Sequence, residues 1–297
     1  MTTDRSFTAA LVQMCCGLTP EPNLEQACHY IRKAAADGAE YVLTPEVSNM
    51  MQSNREALFA QLAGEDDDRS LKAYRELAAE LKIHLHIGSL ALRFSPERAV
   101  NRSFLIGPDG NVLASYDKIH MFDIELPGGE SYRESENYQP GETAVLADLP
   151  WGRIGLTICY DLRFPALYRA LAESGAMFLT VPSAFTRTTG EAHWHVLLRA
   201  RAIETGSFVF AAAQSGVHEN GRETYGHSLI IDPWGRILAE RATDTGVIMA
   251  RIDPAMVAEA RQSIPSLSHG RRFSLAGFSL AGTDSSPDHL HLVQDAT

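Results

Sequence analysis

The chain has 297 residues, 45% hydrophobic and 21% charged, proportions that suit a globular protein with ample material for a core. Its 26 Lys and Arg against 37 Asp and Glu give a net charge of −11, which argues against nucleic acid as a partner, because phosphate neutralisation needs a basic surface. No apolar run approaches the ~20 residues of a membrane span, Phe7–Met14 is too short for a secretory core segment, and four cysteines without a C-x-x-C pair predict a reducing, cytoplasmic setting.

Strand-like and helical patterns alternate along the chain. Phe7–Met14 reads as a first strand, and Asn23 as the N-cap of a helix with Leu24, Ala27, Ile31 and Ala34 at helical spacing, ended by Gly38. Glu40–Thr44 is a short strand closed by Pro45, Ser70–Leu81 a helix and Ile83–Ser89 a third strand. Asn101–Ile106 and Asn111–Tyr116 flank Gly107-Pro-Asp-Gly110, a hairpin signal. A long irregular loop is expected between Pro127-Gly-Gly129 and Pro140-Gly141, a length associated with functional loops. Arg153–Ile158 is an apolar strand, Pro165–Glu173 a helix, Ala176–Val181 a strand and Trp194–Thr205 a helix. Phe208–Ala213 and His227–Ile231 read as strands, the latter running into a hairpin at Asp232-Pro-Trp-Gly235. Gly246–Ile252 is a late strand, followed by a helix from Pro254. Hairpins mixed with strand–helix–strand units predict an α/β fold with mixed sheets. No linker divides the chain, so residues 1–280 read as one domain and 281–297 as a loosely ordered tail.

Three residues stand at strand ends, where chemistry is exposed. Cys159 closes the strand Arg153–Ile158, and Tyr160-Asp-Leu-Arg-Phe-Pro165 leads on into a helix; strand-to-helix turns present nucleophiles to ligands. A cysteine there is equally an ordinary core residue, and a thiol needs a base to become the reactive thiolate. None of the eleven His occupies a recognised cysteine-protease context. His84 and His86 alternate along a strand, and His193 and His195, two residues apart, share no helical face, so neither pair predicts a zinc site. The carboxylate candidate is Glu46, in Thr44-Pro-Glu46 after a short strand. Lys118, in Tyr116-Asp-Lys-Ile-His120, follows the second hairpin strand. Singly, Glu46 reads as a solvated loop residue and Lys118 as surface charge; the three strand ends together suggest a site.

Thr44-Pro-Glu46, Tyr116-Asp-Lys-Ile-His120 and Gly155-Leu-Thr-Ile-Cys-Tyr-Asp161 resemble, in order and spacing, the three signatures of the nitrilase (carbon–nitrogen hydrolase) superfamily. The resemblance continues through Arg163-Phe-Pro165, Pro182-Ser-Ala-Phe185, Ala192-His-Trp194, Leu198-Arg-Ala-Arg-Ala-Ile-Glu204, Tyr225-Gly-His-Ser228 and Asp232-Pro-Trp-Gly235, covering nearly the whole chain from Phe7 to Phe273. It implies a four-layer α-β-β-α sandwich that assembles as a homodimer or larger, with the helix after Pro165 and the segment Trp194–Glu204 facing another subunit. It also implies a triad in which Glu46 is the base, Cys159 the nucleophile and Lys118 the oxyanion partner, with the Tyr160 backbone N–H assisting. A second glutamate is implied between the lysine and the cysteine; Glu134 matches best, with Glu130 and Glu136 as rivals.

The activity so implied is cysteine-dependent hydrolysis of a small-molecule amide through a thioester, with no metal or organic cofactor. Pro182-Ser-Ala-Phe185, Ala211-Ala-Ala-Gln214 and the loop around His218 are more similar to the deaminated glutathione amidase branch than to omega-amidase. Both branches handle 2-oxo acids bearing an amide, which implies a carboxylate anchor: Arg163 or Arg187, each equally readable as a structural ion-pair partner. Tyr160 and Ser183 are the other substrate-binding candidates. His195 stands where that branch commonly has glutamate. Omega-amidase, nitrilase and carbamoylase activities share the triad. A non-catalytic binding protein of this fold is a further reading, which the intact Glu46, Lys118 and Cys159 oppose. A redox sensor at Cys159 is opposed by the absence of a resolving cysteine nearby.

Overall fold

The computed structural model describes residues 6–126 and 129–273. The apolar run that opens it is buried on both sides: in β1 (Phe7–Gln13), Phe7, Ala9 and Leu11 join one core cluster and Ala10 and Val12 another. That division is the two-residue period of a strand covered on both faces. There follow α1 (Pro20–Ala36), β2 (Tyr41–Leu43), α2 (Arg55–Gln61), α3 (Arg69–Leu81), β3 (His84–Arg93), β4 (Ala99–Ile106) and β5 (Val112–Asp117). Next come β6 (Asp123–Glu125), β7 (Ser131–Arg133), β8 (Val145–Leu149), β9 (Gly152–Leu156), α4 (Pro165–Glu173), β10 (Phe178–Thr180) and α5 (Arg187–Thr205). The last elements described are β11 (Phe208–Ala211), β12 (Ser215–Val217), β13 (Glu223–Tyr225), β14 (Ser228–Ile231), β15 (Ile237–Arg241), β16 (Gly246–Ile252) and α6 (Ala255–Ser263).

Two six-stranded sheets carry the fold, ordered β16-β1-β2-β3-β4-β5 and β15-β14-β11-β10-β9-β8. Each has three parallel strands at its centre, β1/β2/β3 and β9/β10/β11, flanked by antiparallel neighbours. The sheets face one another through aromatic contacts: the Phe7 ring lies 5.5 Å from Phe178, and Tyr41 lies 5.6 Å from Phe210. Outside the first sheet, Ala27, Ile31 and Ala34 of α1 and Tyr74, Leu77 and Ala78 of α3 complete a second core. On the other side, Tyr168 and Leu171 of α4 and Trp194 and Leu198 of α5 pack with the second sheet. The result is the α-β-β-α sandwich with mixed sheets, built as layers that each bury an apolar face.

Several boundaries differ from the sequence reading. Helix α1 begins at Pro20, with Thr19 ahead of it, not after Asn23; proline's fixed φ suits the first helical turn. Asn23 is instead buried inside the helix, donating to the carbonyls of Gly17, Thr19 and Asn49 and accepting from the Gly17 N–H. Helix α5 starts seven residues before Trp194, where the Thr186 side chain accepts from the Thr189 N–H. The segment expected to be irregular contains β7, which pairs with β6 just ahead of it, and a 3-10 turn, Glu134–Glu136. The α2 helix and the β12–β13 hairpin were not legible in the pattern. Residues 281–297 lie outside the described residues, and no helix among those described is long and apolar enough to cross a membrane.

Candidate active site

Strand β9 ends at Leu156, Thr157 and Ile158 follow it, and the chain then turns sharply. Cys159 has φ +49°, in the left-handed region, where a residue with a Cβ stays only when its surroundings impose it. Two hydrogen bonds fix this turn: the Cys159 N–H donates to Pro182 O at 2.9 Å, and the Ile158 N–H donates to Asp161 Oδ2 at 2.8 Å. Asp161 is fully buried and also accepts from Tyr116 Oη at 2.7 Å, from the His120 N–H at 3.1 Å and from His120 Nδ1 at 2.7 Å. One carboxylate therefore ties the cysteine turn to both sides of Lys118.

Glu46 follows β2 in a loop that crosses close over β3. Gly88 makes that crossing possible: a Cβ there would stand 2.1 Å from Thr44 O and 2.6 Å from Pro45 O. Val47 takes a left-handed φ of +45° and donates its N–H to Ser89 Oγ, while Gln214 Nε2 donates to Glu46 O. Glu46 is buried, its side chain 5% exposed. Its Oε1 accepts from Lys118 Nζ and from Asn101 Nδ2, both at 2.9 Å, and its Oε2 accepts from the Ala184 N–H at 2.7 Å. Lys118, also buried, donates in addition to both oxygens of Glu134, at 3.0 and 2.8 Å. Glu134 opens the 3-10 turn and accepts from the Phe122 N–H at 2.7 Å. Of the three rival glutamates, Glu134 is the one that reaches the lysine; Glu130 and Glu136 are exposed.

The charges act on one another at short range. Burial raises the Glu46 carboxyl, but the Lys118 charge and the hydrogen bonds from Lys118 and Cys159 outweigh it and hold the group below its ordinary value. Burial lowers the Lys118 ammonium, yet Glu134 and Glu46 together drive it well above the normal lysine range. Burial first, and then the Glu46 carboxylate, push the Cys159 thiol up, so the resting thiol is protonated. Two carboxylates and one ammonium surround a neutral thiol, and the ionised Glu46 carboxylate is the basic group beside it.

These groups line a cavity of about 640 Å³ together with Asn101, Phe122, Tyr132, Tyr138, Met50, Met51 and Arg222. Among the other residues singled out from the sequence, Arg187 lines it too, but its guanidinium is paired with Glu191 at 3.0 Å and Glu223 at 3.1 Å. Tyr160, Arg163 and Ser183 do not line it. The Tyr160 ring packs edge-on against Phe122 and Phe164. Arg163 lies over Phe185 at 5.2 Å and meets His193 Nδ1 at 3.3 Å. Ser183 is buried, its hydroxyl donating to Val181 O at 3.1 Å. The side-chain placements of Tyr160, Arg163 and Ser183 follow from aromatic and backbone partners that a linear motif does not display.

Arg222 is the cation that sequence reasoning missed. It stands just ahead of β13, in the connection of the β12–β13 hairpin, and its Nη2 donates to Ala184 O at 2.5 Å while the guanidinium stacks over Tyr132 at 5.1 Å. No ion pair among the described residues involves it, and its Nε is buried without a hydrogen-bond partner. The only sequence signal was its position in the segment Glu219-Asn-Gly-Arg-Glu223 just ahead of Tyr225-Gly-His-Ser228.

Residues 8–262 match the model of the carbon-nitrogen hydrolase family. A deaminated glutathione amidase from Yersinia enterocolitica is 39% identical over 271 residues, 90% of this chain and 94% of the relative. The human omega-amidase NIT2 is 37% identical over 264 residues, covering 88% and 93% of the two chains. Among solved structures, the C. elegans NitFhit protein superposes with a TM-score of 0.85 at 38% identity, over 90% of this chain and 65% of that longer chain.

Proposed function

The chain belongs to the carbon–nitrogen hydrolase family, and on that premise we propose that it hydrolyses a small carboxylate-bearing amide, a 2-oxo acid amide such as deaminated glutathione, through a thioester on Cys159. The observation that carries this reading is the convergence of Glu46, Lys118, Glu134 and Cys159 in one cavity, with Lys118 bonded to both glutamates.

The resting thiol is neutral, so the nucleophile has to be made when substrate is present. Moving its proton to Glu46 transfers negative charge from one neighbour of Lys118 to another, without creating net charge in a buried site. The sulfur then attacks the amide carbon and the carbonyl electrons move onto oxygen. Protonation weakens the hold of Glu46 on Lys118, which frees an N–H of the ammonium for the oxyanion; such a donor contributes on the order of 10²–10³-fold in rate. Glu46 returns its proton to the departing nitrogen, ammonia or an amine leaves, and the thioester remains. Water adds to that thioester with its proton passing to Glu46, and collapse releases the acid and restores the thiol. Glu134 acts through Lys118, keeping it charged and aimed. Arg222, with no ion-pair partner among the described residues, is the anchor for the substrate's carboxylate; it replaces Arg163 and Arg187 in that role.

The assembly we propose is a homodimer or a dimer-based oligomer. Val196 and Ile203 of α5 are 68% and 53% exposed, and Trp234 nearby in sequence to β15 is 53% exposed, apolar surface that a second subunit would cover. The free thiols of Cys15, Cys16, Cys28 and Cys159 fit a cytoplasmic setting. The decisive experiment measures ammonia release from a panel of 2-oxo acid amides, with intact-protein mass taken during turnover. A mass increase equal to the acyl group, lost in Cys159→Ser, is expected; turnover by Cys159→Ser near the wild-type rate refutes the covalent route.

A further inference from the structure

A second cluster of ligating side chains lies away from the catalytic cavity. His195 on α5, His227 just ahead of β14 and Glu240 on β15 bring one imidazole nitrogen each and a carboxylate oxygen within 4.8 Å of one another, and none of the three lines the cavity. Both rings converge on the same atom: Glu240 Oε1 lies 2.9 Å from His195 Nε2 and 2.7 Å from His227 Nδ1. We infer that His195, His227 and Glu240 form a site for a divalent transition-metal ion, with Zn²⁺ the ion their donors suit.

The donor set comes first. Two imidazoles and one carboxylate hold zinc and leave a fourth position open to water. Donors placed ~2.0–2.2 Å from a tetrahedral ion stand ~3.4 Å apart. The contacts at 2.9 and 2.7 Å therefore have to open by about half an ångström on binding, a side-chain adjustment.

Preorganisation comes second. The donors sit on three separately anchored elements, and His227 is held most firmly. Its backbone has φ +55°, in the left-handed region, a conformation that persists only when neighbours impose it. Its N–H donates to Ala242 O at 2.7 Å, its carbonyl accepts from the Trp194 indole N–H at 2.7 Å, and its ring stacks on Tyr225 at a centroid distance of 4.3 Å. Trp194 immediately precedes His195, so the same contact fixes both histidines relative to each other. The side chains of His195, His227 and Glu240 are 31%, 20% and 34% exposed, open enough for an ion to enter. His193, the neighbour considered in the sequence, turns instead to Arg163. An ion here clasps α5 to the β14–β15 hairpin and takes no part in amide hydrolysis.

The test uses full-length, chelator-treated protein with Cys159 alkylated, titrated with Co²⁺ and then Zn²⁺. One Co²⁺ per chain is expected, with visible d–d absorption, no thiolate-to-metal charge transfer, and displacement by Zn²⁺. His195→Gln and Glu240→Gln should each weaken binding by at least ~10-fold; two variants at partly exposed positions guard against a folding failure in either. No saturable binding up to millimolar metal overturns the assignment. So does binding that both variants leave unchanged, or a charge-transfer band, which places the ion on a cysteine.

Discussion

Replacing Arg222 by glutamine separates the anchoring of substrate from the chemistry. In the wild-type protein the guanidinium is half-buried, stacked on Tyr132, bonded to Ala184 O and free of any carboxylate among the described residues. A substrate carboxylate meeting it makes a charge-assisted pair, which contributes about 1.5–3 kcal/mol over a neutral contact. At 1.36 kcal/mol per decade, Arg222→Gln should lower kcat/KM for a 2-oxo acid amide by roughly 10- to 150-fold. The same substitution also removes the bond to the Ala184 carbonyl, and the Ala184 N–H holds Glu46 Oε2 at 2.7 Å, so part of any loss is expected for every substrate. The assay therefore follows ammonia release from two substrates, the 2-oxo acid amide and the matched primary amide without a carboxylate. The ratio of the two kcat/KM values should collapse in the variant, because only the charged substrate loses its partner. Equal losses for both substrates, or no loss for the charged one, refute Arg222 as the anchor.

Lys118→Ala should lower kcat by at least ~10²-fold, since an oxyanion donor is lost, and adding Cys159→Ser should make little further difference because the groups act as a unit; steady-state rates of single and double variants check this. Asp161→Asn puts an amide N–H₂ against one of the donors now facing the carboxylate, and should cost on the order of 1–3 kcal/mol in stability by leaving a buried donor unpaired, read from chemical denaturation. The pH profile tests the base: a carboxyl held below its ordinary 4.5 is ionised above that pH, so kcat/KM should be flat from about pH 5 to 8 and fall only in more acid solution. Any stability that the same lowered carboxyl contributes is likewise present above its unfolded value and lost as pH falls through the folded one; a limb near pH 6.5 would point to histidine instead. Mass photometry should find a dimer or larger assembly, and a monomer at micromolar protein counts against the α5 interface.

Much of the fold was legible because both-face burial leaves unbroken apolar runs, as in Phe7–Met14 and Arg153–Ile158, and because Gly107-Pro-Asp-Gly110 and Asp232-Pro-Trp-Gly235 carry their own turn chemistry. What escaped were elements whose signal is weak or local. The first turn of α5 contains Thr-Thr-Gly after Arg187, poor helix formers that hold because Thr186 caps them and Gly190 lets Tyr225 approach, a Cβ there standing 2.3 Å from that side chain. The strands β12 and β13 are three residues each, too short for a periodic pattern, and Arg222 lies in the connection between them.

The site divides the same way. Glu46, Lys118 and Cys159 each follow a strand in a short motif, so their types and spacing could be read from the chain. The partners that set their chemistry could not. Asn101 donates to Glu46 at 2.9 Å and to Glu134 at 3.3 Å from within β4, and Asp161 joins the lysine and cysteine segments although 43 residues separate it from Lys118. Asn101 reaches Glu46 across the first sheet, from β4 past β3, and the contacts of Asp161 with the segment after β5 form only once the two sheets have stacked. Asn101 shows the physical consequence. Its amide N–H₂ is committed to two carboxylates, so its Oδ1 is turned away and is buried without a partner. An unpaired buried acceptor costs on the order of 1–3 kcal/mol. The opposite amide orientation would aim that oxygen at Glu46 and Glu134, which is worse, so the residue is locked. Asn101 thus bridges the two carboxylates that share the Lys118 ammonium, at the expense of one hydrogen bond. In the proposed mechanism the thiol proton passes to Glu46, and removing either carboxylate's share of the ammonium would return Lys118 to the other and change the basicity of the acceptor.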